Sequence, residues 1–460
     1  MDSTSLDDTK AGKPNTKGRE WIYPRIIKGK LYKYRNWVSY VLLLLMFSGP
    51  FIKINDEQLI LFNILERKFV FFGVIFWPQD FYLFVLAMLT FLVFILLFTL
   101  VFGRVWCGWA CPQTIFMEML FRKIENWIEG DWVKQKKLNE GPLTSDKIFK
   151  KALKHSLFAL ISFFIANIFL AYIIGSDQLL QIINQPVSKH WTGFTSIILF
   201  TIVFYFVFAY LREIVCTVIC PYGRLQGVLL DSKSLIVAYD YERGEPRTKV
   251  HRNSDQPAGD CIDCNVCVHV CPTGIDIRKG TQLECINCTA CIDACDMVME
   301  KLHRPLRLIG LKSEDQIKTK QAFRFGNRVY WYAAILVIMT SILSVLLIKR
   351  SDVEATILRA AGTLYQERED GTVSNLYNAE LINKTSHSVR FELKPTDANT
   401  TIQYIQKQNV IVKGGTSKLT FFIIRGQKMA DKYKSEIELL VLSNGKELDN
   451  VTTTFIAPPN

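Results

Sequence analysis

The chain has 460 residues, 49% of them hydrophobic, with 31 Phe, 12 Cys and a formal net charge of +12. Its mean hydropathy is +0.16. That length holds two or three domains, and the apolar content is high for a soluble globular protein. Short secreted disulfide scaffolds are excluded by length and cysteine spacing. No P-loop, dinucleotide fingerprint or nucleophile elbow points to nucleotide or hydrolytic chemistry.

Residues 1–36 are polar and basic, without a cleavable secretory signal, and the first apolar run begins at Trp37. A bilayer crossing needs about 20 apolar residues. Five segments meet this: 37–54, 81–103, 156–175, 194–211 and 329–348, the second with no charge at all. A sixth stretch, 59–77, is broken by Glu66, Arg67 and Lys68 and ends at Trp77 and Pro78, so it reads as a re-entrant or interfacial element.

The charges of the connections test this plan. Lys and Arg number nine in 1–36, ten in 104–155 and seventeen in 212–328, against two in 55–80 and one in 176–193. Every other connection is basic, as the positive-inside rule requires. A full crossing at 59–77 would break the alternation. The plan puts the N-terminus and the cysteine-bearing connections on the cytoplasmic side of the inner membrane. The net charge is then a topology signal, and nucleic acid is not a partner.

Two boxes close the second and fourth apolar segments: Cys107, Cys111 and Pro112, and Cys216, Cys220 and Pro221, preceded by Arg104 and Arg212. Such a repeat suggests two halves meeting around one site. Residues i and i+4 share a helix face, and proline biases the preceding cysteine away from helix, so each box marks a bend. Three uses stay open: a soft metal such as Cu(I), a redox-active dithiol, or buried small apolar residues. Arg104 and Arg212 read either as steering groups for an anionic partner or quinone head, or as snorkelling anchors.

Eight further cysteines follow in two runs, Cys261, Cys264, Cys267, Cys271 and Cys285, Cys288, Cys291, Cys295. This is the C-x2-C-x2-C-x3-C thiolate pattern of [4Fe–4S] clusters, in which the fourth cysteine of each run ligates the other cluster. Cys261, Cys264, Cys267 and Cys295 therefore belong to one cluster, and Cys285, Cys288, Cys291 and Cys271 to its partner. Zinc also uses C-x2-C pairs, but two intact runs are far more specific. Pro272 follows the first run, whereas Asp296 stands in the corresponding place of the second. His269, inside the first loop, reads as a support for the cluster rather than a ligand. No histidine pairs at helical spacing within the apolar segments suggest transmembrane haem.

Residues 352–460 contain no cysteine and carry alternating runs at 388–393, 419–424 and 437–442, with turn signals at 414–415 and 444–445. About a hundred residues so patterned predict a small β-sandwich. The plan is thus a basic tail (1–36), a four-helix membrane region with both boxes (37–220), a cytoplasmic ferredoxin-like domain (221–328), a fifth transmembrane helix (329–348) and an extracytoplasmic sandwich (352–460). The fold class is a multi-pass α-helical membrane protein with an inserted ferredoxin-like domain holding two [4Fe–4S] clusters and a C-terminal β-sandwich.

Over most of its length the chain resembles the cytochrome oxidase accessory proteins of the FixG/CcoG/RdxA type. The resemblance rests on Glu66 to Phe69, Phe76 to Asp80, Trp106 to Pro112, Cys216 to Gly223 and the two ferredoxin runs. Wider relatives, the membrane ferredoxin subunits of the quinol-dehydrogenase type, share boxes and clusters but usually lack the fifth helix and outer domain. The resemblance implies an immunoglobulin-like C-terminal domain and reduction of Cu(II) to Cu(I) in assembly of a cbb-type oxidase. It further implies Cys107, Cys111, Cys216 and Cys220 as the catalytic, copper-holding set, with copper chaperones and oxidase subunits as partners. The residues alone establish electron transfer at a membrane, with electrons from an unknown cytoplasmic donor or a quinol. A quinol-oxidising conduit and a non-enzymatic assembly scaffold are the competing readings, and self-association stays open.

Overall fold

The computed structural model describes residues 21–54, 57–64, 68–248, 259–360, 362, 364–385, 387–405, 410–411, 415–426, 433–443 and 445–458. The chain divides into two compact units: Met1–Ser48, Ala87–Leu170 and Gln181–Ser341 form one, and Gly49–Leu86, Ala171–Leu180 and Ile342–Asn460 the other.

Among the described residues, four helices are long and apolar enough to cross a membrane: Phe81–Phe102, Ser145–Ile174, Trp191–Leu211 and Asn327–Ile348. No more than 28% of any of their apolar windows is buried within the protein, which leaves broad apolar faces for lipid. The expected first crossing is instead a helix, Lys30–Ser48, that does not qualify. Lys30, Lys33 and Arg35 occupy its first turns, and Gly49 and Pro50 stop it before residue 54.

The stretch expected as a re-entrant element is a three-stranded antiparallel meander, Ile60–Asn63, Lys68–Phe71 and Val74–Phe76. Phe72 and Gly73 both have positive φ, 50° and 81°, and so make the two-residue turn whose twist suits a hairpin. Leu61, Val70 and Ile75 are buried beneath it against Trp77. Lys68 pairs with Glu57 at 2.8 Å; Glu66 and Arg67 lie outside the described residues.

In the same unit, Thr400–Tyr404, Thr416–Gly426, Thr372–Asn383 and Val353–Arg359 lie side by side in one sheet, and Glu392–Pro395, Lys434–Ser443 and Lys446–Ile456 form a second. Their inward positions, among them Tyr377, Leu381, Phe421, Ile423, Leu439, Val441 and Phe455, make one core. Alternation of buried and exposed residues along the strands produces it. The Tyr377 hydroxyl donates to the Thr454 carbonyl at 2.8 Å.

Asp80, 1% exposed, accepts from Lys384 and Arg350, each at 2.6 Å, and Lys384 also meets Glu354 at 2.6 Å. Burial pushes the Asp80 carboxyl up, but the hydrogen bonds and charges of Lys384 and Arg350 outweigh it and hold the group below the usual carboxylate range. A depressed native value stabilises the fold above the unfolded-chain value of about pH 4 and is lost as pH falls through the native one. Asp80→Ala leaves Arg350 without its carboxylate and Lys384 with Glu354 alone, at a cost of about 3–5 kcal/mol. Thermal unfolding of the full chain in detergent is expected to show this loss at neutral pH, together with a weaker dependence on acid.

In the first unit, Ile236–Tyr239 and Ile309–Lys312 pair antiparallel and enclose the eight-cysteine segment. Its core is Val237, Tyr239, Ile275, Ile277, Ile292, Met299, Leu308 and Ile309, with cysteines packed among them. Pro272 follows the helix Val266–His269 and prevents its extension. Asp296 imposes no such stop, so the second helix runs from Ala290 to Lys301 through Cys295. Asp296 accepts from the Arg307 backbone N–H at 2.7 Å.

Candidate iron–sulfur and thiol site

The two cysteine runs fold into matching loops. Asp263 and Asn265 have φ of 52° and 57°, and Asn287 and Thr289 have φ of 52° and 65°. Left-handed residues between right-handed ones turn successive N–H groups to one side and make an anion-binding nest. Thr289, β-branched, adopts this conformation at a cost, and its hydroxyl donates to the Cys288 carbonyl at 2.7 Å.

Each loop faces a cavity. Cys261, Cys264, Cys267 and Cys295 line one, with Tyr239, Val298 and Leu308. Cys271, Cys285, Cys288 and Cys291 line the other, with Cys267 and Ile275 at its edge. Among the described residues, no three His, Cys, Asp or Glu side chains stand in the arrangement of a single-ion site. Sulfurs spread around a cavity suit a cage of several irons instead. Burial pushes the thiols of Cys267, Cys285 and Cys295 up to about 12 and that of Cys288 to about 11. Thiols so buried become thiolates when metal replaces the proton.

The boxes share a local geometry that their spacing alone did not specify. The Cys111 N–H donates to the Trp106 carbonyl at 2.9 Å, and the Cys220 N–H to the Val215 carbonyl at 2.8 Å. In both, the second cysteine bonds to the residue just before the first. Cys111 and Cys220 are extended, with ψ of 126° and 111°, and Pro112 and Pro221 open the next helix, where a missing N–H costs nothing. Wide π-turns, Ile115–Phe121 and Val215–Ile219, adjoin the boxes.

The structure gathers all four box cysteines into one group within electrostatic reach of each other. Burial pushes Cys107 up to about 11, against the opposing charge of Arg104, and Cys216 to about 12. The Cys107 thiol donates to the Gln226 Oε1 at 2.9 Å, and Gln226, fully buried, donates to the Thr99 hydroxyl at 3.2 Å.

Box one abuts the second cluster loop. Cys107 packs with Ile286 and Cys288, and Cys216 and Tyr222 lie against them. A Cβ on Gly108 would stand 2.5 Å from the Ile286 carbonyl oxygen and 2.7 Å from the Cys288 Cα. Only glycine permits that approach.

Models of known families match the same regions. Residues 211–314 match a 4Fe-4S dicluster domain, residues 84–137 a 4Fe-4S binding domain, and residues 343–458 the IG-like fold at the C-terminal of FixG. Protein RdxA of Cereibacter sphaeroides is 34% identical over 386 residues, which cover 81% of each chain. This chain belongs to the FixG/RdxA family. Nitrogen fixation protein FixG of Rhizobium meliloti is 32% identical over 424 residues, 83% of this chain and 80% of the relative. A solved FixG-related protein from Vibrio parahaemolyticus aligns with 23% of this chain and 97% of its own length, at 17% identity and a TM-score of 0.21.

Like its dicluster family model, this FixG/RdxA-family chain carries two [4Fe–4S] clusters in a membrane-associated electron-transfer protein. The cysteine-lined cavities and their nests fit that cofactor. Other parts of the site depart from what the sequence suggested. Arg104 and Arg212 are not exposed snorkelling anchors, being only 3% and 5% exposed. Arg104 donates to the Leu283 carbonyl. Arg212, at φ 48°, pairs with Glu125 at 2.8 Å, and Glu125 also meets Lys154 at 3.2 Å. Burial raises the Glu125 carboxyl, yet Arg212 and Lys154 bring it down to about 2. His269 is exposed and stacks on Trp132, ring centroids 5.5 Å apart. Arg35, Gly108 and Gln226 were missed, and only the tight local spacing around Cys107 hinted at Gly108.

Proposed function

We propose that this FixG/RdxA-family chain is a cupric reductase, converting Cu(II) to Cu(I) for assembly of a cbb-type cytochrome c oxidase. The observation that carries the reading is the backbone contact of Gly108 with Ile286 and Cys288. It sets the paired box thiols directly beside one of the cysteine cavities. Cys261, Cys264, Cys267 and Cys295 would hold one cluster, and Cys271, Cys285, Cys288 and Cys291 the other. When bound, the clusters supply one-electron carriers, and each Cu(II) takes one electron.

The four box thiols do not stand as a preformed single-ion site, and they would supply the ligands that close on the substrate ion. Soft thiolates favour Cu(I) over harder ions, so Cys107, Cys111, Cys216 and Cys220 bind product better than Cu(II) and pull the reduction forward. Gln226 orients the Cys107 thiol through its hydrogen bond. Exposed Cys264 marks the face where a cytoplasmic donor delivers electrons. Ser145–Ile174 and Trp191–Leu211 separate the boxes, so two crossings return the chain to one side whatever the Lys30–Ser48 helix does. Seventeen Lys and Arg in 212–328 support the cytoplasmic side of the inner membrane for it. The chain beyond Asn327–Ile348 then lies outside, where copper chaperones and oxidase subunits are the partners.

Protein reduced anaerobically and freed of reductant is expected to convert added Cu(II) to Cu(I), read with a Cu(I)-specific chelator. In copper-free membranes, quinol is expected to leave the clusters oxidised. Cluster reduction by quinol with no Cu(I) formed would replace this reading with the quinol-oxidising conduit.

A further inference from the structure

Arg35 belongs to a helix, Lys30–Ser48, whose start is tied to the second cluster helix: Asp293 accepts from the backbone N–H groups of Leu31 and Tyr32 at 3.2 and 2.7 Å. The Arg35 side chain is 4% exposed. Its Nε donates to the Gly108 carbonyl at 2.9 Å, the residue that touches the Cys288 loop. Among the described residues its Nη2, buried, has no hydrogen-bond partner. Arg35, Cys288, Thr289 and Ala290 line one small cavity; Glu118 and Arg122 also face it, and Arg122 is shared between Glu118 and Glu213, so Arg35 itself has no carboxylate of its own among the described residues.

A buried guanidinium without a counter-charge is costly. The other cluster site differs in this respect. There Arg278 lies against Asp263 at 2.5 Å and Asp276 at 2.7 Å, so two carboxylates more than cancel its charge. One cysteine cavity thus has beside it a cation that no carboxylate among the described residues pairs with, and the other has a cation outweighed by acids. Cluster potential rises with nearby positive charge, because the reduced form carries one more negative charge.

We propose that Arg35 is a positioning residue with two roles: it fixes box one against the Cys288 loop and makes the cluster held by Cys271, Cys285, Cys288 and Cys291 the higher-potential member of the pair. Electrons entering at the exposed Cys264 end then collect beside the boxes. This rests on the cysteine assignment above and deepens it, since it gives the pair a direction.

The test is an EPR-monitored redox titration of the cluster-loaded full chain in detergent, with iron counted in each sample. Wild type is expected to show two separated midpoints. Arg35→Gln is expected to lower the higher one by at least a tenfold change in reduction equilibrium, about 59 mV for one electron, and to leave the other in place. Arg35→Lys restores most of the shift. Full iron with both midpoints unmoved in Arg35→Gln overturns the proposal. Should Arg35→Gln lose iron, Asp276→Asn decides: a raised lower midpoint and a narrower gap support the asymmetry, and an unchanged gap overturns it. Wild-type protein without two cluster signals would instead count against the cysteine assignment itself.

Discussion

Cys107→Ala combined with Cys216→Ala is expected to abolish Cu(II) reduction, by about a hundredfold or more, while iron content and cluster spectra stay at wild-type levels. Removing even supporting contacts around a metal costs about 10–100-fold, and this variant removes two thiols outright. Both cysteines pack beside Cys288, and alanine keeps most of their volume, so the neighbouring loop retains its support. The pairing also separates the alternatives. A scaffold whose boxes are merely buried apolar residues would lose nothing, because alanine serves that purpose as well. A dithiol that cycles through a disulfide would lose activity with Cys107→Ala alone and show oxidised thiol pairs in the wild type after turnover. Free-thiol titration before and after copper addition distinguishes these outcomes.

Gly108→Val is expected to damage the junction between box one and the second cluster loop. Its Cβ would fall within 3 Å of three backbone atoms, the Ile286 oxygen and the Cys288 Cα and N, and backbone cannot rotate away as a side chain can. Overpacking of this kind costs about 1–3 kcal/mol, and here the strain falls on a cysteine loop. Iron per chain should drop toward one cluster, with the remaining EPR signal unchanged and Cu(II) reduction lost. Gly193→Ala is the control: a Cβ there meets nothing within 4 Å, so iron and activity should match wild type. Equal behaviour of the two variants would mean that the close approach has no functional part.

The cluster loops were legible because their ligands are local: spacing of two and three residues specifies the chelate before any tertiary contact forms. The equivalence of the boxes was legible for the same reason, and the alternation in 419–424 and 437–442 announced the sandwich. What the sequence hid is long-range or depends on short elements. Arg35 looked like one of nine basic residues in a tail, and its burial comes from docking far along the chain, on Gly108 73 residues away and, through Leu31, on Asp293 262 residues away. Arg212 looked like an interfacial anchor until Glu125 and Lys154 packed against it. The meander at 60–76 has strands of three or four residues, too short for a periodicity to register, so its apolar content resembled a broken membrane segment. The first helix starts at Lys30, ahead of the 37–54 window, so Lys30, Lys33 and Arg35 take up its first turns, and Gly49-Pro50 ends it short of residue 54.

The central claim, that the paired thiols receive Cu(II) beside the clusters and return Cu(I), is tested most directly by rapid-freeze EPR of anaerobically reduced protein mixed with stoichiometric Cu(II). The account predicts that the Cu(II) signal and the reduced-cluster signals disappear together, one copper per electron, and that the double box variant keeps both. Persistence of the Cu(II) signal beside fully reduced wild-type clusters, or equal loss in the box variant, would contradict it.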